Sequence, residues 1–127
     1  KKKFILTMAV VMMLSVLLAS GAFAAQKTVS GTCGGYGCQG YVSCTASGGS
    51  ARTSFDGPTT VLEVDLWYGD ITIIGGVGVI HHSYKSNAGS SVSVSQSVGS
   101  GCYSFSSASR WRVHYAEGWD KEYIVFY

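Results

Sequence analysis

Histidines, carboxylates and cysteines are the residues in this chain whose types could carry chemistry, and their spacing limits what they can do. His81 and His82 are adjacent. In an extended strand neighbouring side chains point to opposite faces, so this pair cannot readily share one ion or one reaction centre. One of them could meet His114 and a carboxylate such as Asp70 only across strands, and nothing in the linear spacing selects that arrangement. Glu63 and Asp65 stand at i, i+2, the nearest approach to the paired carboxylates of glycosidic cleavage. Acids so spaced on a strand are ordinarily a solvated face. Serines are plentiful, but none sits in a nucleophile elbow. Gly75-Gly76-Val77-Gly78 lacks the following basic residue and the helix pattern of a phosphate loop, and reads as a bulge or strand break. The expectation is a protein that binds and does not catalyse, with no cofactor.

Four cysteines, Cys33, Cys38, Cys44 and Cys102, are an even set. In an exported chain they read as two disulfides. Three lie close together and one is remote, so one bridge is local and the other long-range in each of the three connectivities. Cys33–Cys38 with Cys44–Cys102 is the favoured pairing. The long-range bridge closes a loop of roughly 60 to 70 residues, worth about 4 kcal/mol on the chain-entropy model. Paired C-x-x-C knuckles are missing, which argues against zinc, and no metal site is expected.

Export is itself read from the start of the chain. Lys1, Lys2 and Lys3 precede an uncharged apolar run from Phe4 to Ala19, and Ala22-Phe23-Ala24 supplies a small-x-small cleavage site. That order describes a helical secretory signal peptide over residues 1–24, cleaved to release a secreted, extracellular protein. The run is short for a membrane-crossing helix, so no stable membrane insertion is expected after cleavage. Without the leader, six basic residues face seven acidic ones, a net charge near −1. Such a chain has no basic stripe for nucleic acid and no cationic amphipathic helix for membrane lysis.

The elements that must position these residues are strands. Residues 25–127 are enough for one domain, and helical periodicity is almost absent from them. Leu62, Val64, Leu66 and Tyr68 occupy one face of Thr60–Tyr68, with Glu63 and Asp65 on the other. Ser91–Val98 alternates serine with valine, and Trp111, Val113 and Tyr115 alternate with Arg110, Arg112 and His114. Further strands are expected over Gly40–Ala46, Ala51–Phe55, Asp70–Ile74, Val77–Tyr84, Cys102–Ser106 and Glu122–Tyr127. Breaks are expected at Gly48-Gly49, Asp56-Gly57-Pro58, Tyr68-Gly69-Asp70, Asn87-Ala88-Gly89, Gly99-Ser100-Gly101 and Glu117-Gly118. Gly34-Gly35-Tyr36-Gly37 reads as a tight loop between two cysteines. Short strands and short turns predict an all-β fold, a small disulfide-stapled antiparallel β-sandwich of Greek-key or jelly-roll-like winding.

Three tryptophans and eight tyrosines are many for so small a chain. Trp111 has the parity of a core residue. Trp67 sits on the polar side of its strand and Trp119 in the turn Glu117-Gly118-Trp119-Asp120, so both are expected to be exposed anchors for glycans, peptides or proteins.

Residues 66–127 resemble the lactococcin 972 family of secreted bacteriocins. The resemblance rests on Trp67-Tyr68-Gly69, on His81-His82-Ser83-Tyr84-Lys85 with Ser90-Ser91-Val92 behind it, on Trp111, and on the aromatic end at Tyr123 and Tyr127. It implies a small antiparallel β-sandwich acting against other bacteria from outside the cell. The implied target is a cell-wall precursor (lipid II for the type member) or another envelope component, bound and not perforated. It places the contact surface among Trp67, Tyr68, His81, His82 and Tyr84. The four cysteines and the segment from Ala25 to about Thr59 depart from the family's pattern. A second class is a non-catalytic surface, adhesion or self-assembling protein, because Ser90–Val98 carries no charge to discourage pairing between copies.

Overall fold

The computed structural model describes residues 25–72, 74–76 and 78–127; the expected signal peptide lies outside them. Eight strands follow one another: β1 (Ala25–Cys33), β2 (Tyr36–Thr45), β3 (Gly48–Phe55), β4 (Thr60–Thr72), β5 (Gly78–Gly89), β6 (Ser91–Ser97), β7 (Cys102–Val113) and β8 (Trp119–Phe126). They form two antiparallel four-stranded sheets, ordered β1-β2-β3-β6 and β5-β4-β7-β8. The fold is all-β, and the sheets pack face to face as a β-sandwich. Terminal strands pair locally, β1 with β2 and β7 with β8, whereas β6 returns beside β3 and β7 beside β4.

Period-two alternation builds the core. Leu62, Val64 and Leu66 from β4 and Trp111 and Val113 from β7 meet Val42, Ala51 and Phe55 of the opposite sheet. Trp111 is fully buried, as its parity requires, and its indole N–H donates to the Tyr41 carbonyl at 3.1 Å. It lies flat against the β2 backbone because position 40 is glycine: a Cβ there would stand 2.0 Å from the indole. Between the sheets, the Thr53 hydroxyl donates to the Glu63 carbonyl at 2.8 Å.

The strands depart from the expected ones at several places. β1 is not among the expected strands: its inward positions Ala25, Val29, Gly31 and Cys33 hold only one large apolar side chain, so its alternation is silent in the sequence and its pairing with β2 defines it. Gly34 and Gly35, both at positive φ, form the two-residue hairpin turn that joins them. β4 runs straight through Tyr68-Gly69-Asp70, because β7 absorbs the irregularity with a register shift that leaves Phe105 over Gly69. For the same reason Cys102–Ser106 and Arg110–Tyr115 belong to a single strand ending at Val113. Asn87-Ala88-Gly89 is likewise strand, paired with Thr60-Val61-Leu62.

The four cysteines are free thiols here, so neither expected disulfide is formed. Each of two buried thiols has another partner: Cys33 donates to the Tyr115 carbonyl, and Cys44 Sγ lies 3.4 Å from Ser104 Oγ. Cys33 and Cys38 nonetheless sit side by side. Burial, and then the Cys33 thiol bonded to it, pushes Cys38 up to about 11. Cys44 lies at the far end of β2, against a strand residue two positions from Cys102.

Candidate functional site

Strand register turns the outer face of the second sheet into ordered rows. Glu63, Asp65 and Trp67 point outward from β4, opposite in parity to the buried Leu62, Val64 and Leu66. Beside Trp67 stand His82 on β5 and Ala108 on β7, and beyond Ala108 is Ile124 on β8. Beside Asp65 stand Tyr84, Arg110 and Glu122, and beside Glu63 stand Ser86, Arg112 and Asp120.

The face divides into two halves. Toward the Val113 end it carries a charged network. Arg112 Nη2 donates to Asp65 Oδ2 at 2.9 Å and Arg112 Nε lies 3.4 Å from Glu63 Oε2. Glu63 also accepts from Tyr84 and pairs with His114. These two hydrogen bonds, Tyr84 first, hold Glu63 below the usual carboxylate range, and the same carboxylate raises Tyr84. Arg110 Nε donates to Asp120 Oδ1 at 2.9 Å and lowers that carboxyl. Toward the Cys102 end the outward residues are Trp67, Ile80, Tyr103, Phe105, Ile124 and Phe126, with no Asp, Glu, Lys or Arg among their row partners. Ile80 is 73% and Phe126 68% exposed.

The boundary between the halves is built around one tryptophan. His82 stacks on Trp67 with ring centroids 4.6 Å apart and planes 7° from parallel. His82 Nε2 is held 2.9 Å from Asp65 Oδ1, and Asp65 is held in turn by Arg112. On the other side of the indole, Trp67, Ala108, Ser109, Glu122, Tyr123 and Ile124 line a groove of about 620 Å³.

The expected contact residues divide between the two faces of the sheet. Trp67, His82 and Tyr84 share the outer face. Tyr68 and His81 stack on each other at 4.8 Å on the opposite face, where His81 Nε2 lies 2.9 Å from the buried Asp70. The adjacent histidines therefore point apart and use different carboxylates. Trp119 is not an exposed anchor: it is 7% exposed and packs on Gly31, where a Cβ would stand 2.3 Å from its indole nitrogen. Gly31 makes room for it, a long-range fact invisible from the turn sequence.

Ala108, Glu122 and Ile124 were not readable as part of the site. Tyr123-Ile124-Val125-Phe126 is apolar at every position, so parity could not say which side faces out. Among the described residues no three His, Cys, Asp or Glu side chains gather as metal ligands. No protein-family model matches the chain, and no curated protein matches it in sequence.

Proposed function

We propose that this is a secreted, bacteriocin-like protein that acts on the bacterial envelope by binding, with the outer face of the β5-β4-β7-β8 sheet as its recognition surface. One observation carries the reading: Trp67 stands on that face braced through His82, Asp65 and Arg112, beside a groove. A stacked histidine, a buried carboxylate and a guanidinium fix one aromatic ring, an arrangement suited to preorganised contact. Glu63, Asp65 and Asp120 are engaged by Arg, His and Tyr partners within the network. Resemblance to the lactococcin 972 family supports the same class, with a cell-wall precursor or other envelope component as partner. The returns of β6 beside β3 and of β7 beside β4 support a Greek-key winding.

Outside the cell, Cys33 closes on Cys38 and Cys44 on Cys102 in this reading. The neighbouring thiols of the first pair and the Cys44–Ser104 contact favour that pairing. Growth inhibition of Gram-positive lawns by oxidised, leader-free protein tests the function. The wild type is expected to inhibit, and a Trp67→Ala/His82→Ala variant to lose inhibition while keeping its β-sheet circular dichroism. Retained killing by that variant rejects the site.

An adhesive or self-assembling protein is the second reading, favoured by one feature. β6 is an edge of its sheet, and residues 89–101 contain no charged side chain. Light scattering that rises with protein concentration distinguishes this class.

A further inference from the structure

We infer that the groove beside Trp67 is a slot for one pyranose ring of a neutral, equatorially substituted saccharide; this rests on the binding reading above and names the ligand class of that same face. The Trp67–His82 centroid separation of 4.6 Å matches the spacing between adjacent strands. The two parallel rings therefore stand upright on the sheet, with their normals running from strand to strand. His82 covers one face of the indole, and the other looks across β7 toward Ile124 on β8.

Two strand spacings separate Trp67 from Ile124, about 9.5 Å, and subtracting the half-thickness of each side chain leaves about 6 Å. That gap admits one saturated six-membered ring and not two. The floor is short: Ala108 is the β7 residue between the walls. Ser109 and Tyr123 point the other way, the Ser109 hydroxyl donating to the Asp65 carbonyl and the Tyr123 ring lying beneath Lys27, so they line the slot through main chain.

Chemistry at the rim selects the ligand. Glu122 makes no hydrogen bond among the described residues, because Arg110, opposite it in register, turns to Asp120. Glu122 interacts with Arg110 through charge alone, so its oxygens can still accept from hydroxyls, and they disfavour an anionic ligand. An indole face favours the C–H face of a ring whose substituents are all equatorial. Together they describe a polyhydroxylated ring with an apolar flat side.

Cellohexaose and chitohexaose are the probes, titrated into the full chain and followed by tryptophan emission and calorimetry. Trp111 and Trp119 are buried, so a change in emission or in acrylamide quenching reports Trp67. At least one probe is expected to bind, blue-shift the emission and protect it from quenching. Trp67→Ala is expected to weaken binding by about tenfold, the size of a lost ring-stacking contact. Ala108→Leu fills the slot from its floor without touching the indole's bracing, and is expected to abolish binding with circular dichroism unchanged. No binding of either probe by the wild type, or undiminished binding by a folded Ala108→Leu, overturns the inference. Growth inhibition measured in parallel separates the two claims. Killing without saccharide binding leaves the envelope reading standing and removes this one, whereas saccharide binding without killing does the reverse.

Discussion

Glycine 40 and glutamate 63 show how much single residues decide in this protein. Gly40 lets Trp111 lie against the backbone of β2, with a Cβ position only 2.0 Å from the indole. Gly40→Ala is expected to destabilise the fold by about 1–3 kcal/mol through overpacking, measured by urea denaturation. Glu63 acts through charge. Its folded pKa is lowered, chiefly by the Tyr84 hydroxyl and then by His114, so protons bind the unfolded chain more tightly. Its contribution is complete above its ordinary value of 4.5 and is lost as pH falls through the lower folded value. The melting temperature of Glu63→Gln is therefore expected to lie below wild type at pH 7, and the gap to close as pH drops below about 4.5. A gap that stayed constant or widened in acid would contradict the role given to this carboxylate.

Strands and turns are tested at their glycines. Gly35 sits at φ 82° with nothing within 4 Å of its missing Cβ, so any cost of a side chain there is purely conformational. Gly35→Ala is expected to cost about 1 kcal/mol, whereas Gly89→Ala, also in open space but without positive φ, is expected to be near neutral. Chemical denaturation of both variants checks the β1–β2 turn assignment. Where one sheet face is buried and the other wet, the strands were legible from sequence: Leu62, Val64 and Leu66 against Glu63 and Asp65, and Trp111 and Val113 against Arg110 and Arg112. Legibility failed where only one neighbour defines an element. β1 is held by pairing with β2. β8 is expected as a strand over Glu122–Tyr127, but its Tyr123–Phe126 half is apolar on both parities, so its outward face was not legible. The apparent break at Gly69 dissolved because the neighbouring strand carries the bulge. Trp67 and His82 could be placed on a face by counting, but their stacking depended on the β4–β5 register, which no local pattern states.

At the scale of the whole molecule, two sheets close over one core and leave an outer surface divided into a charged half and an apolar half, with Trp67 where they meet. The same architecture brings the thiols of Cys33 and Cys38 together and holds Cys44 near the start of β7, and the connectivity proposed for the oxidised protein rests on these two approaches. Mass spectrometry of protein from an oxidising environment is expected to find Cys33–Cys38 and Cys44–Cys102. Reductant should then lower stability by about 6 kcal/mol on the chain-entropy model, about 4 kcal/mol of it through the long-range bridge. The outer face around Trp67 is the surface proposed to meet the bacterial envelope. The most direct test is depletion of the protein from solution by isolated Gram-positive envelopes, wild type beside folded Trp67→Ala. The envelopes are expected to remove the wild type and leave the variant in solution; equal removal of both would rule out Trp67 as the contact.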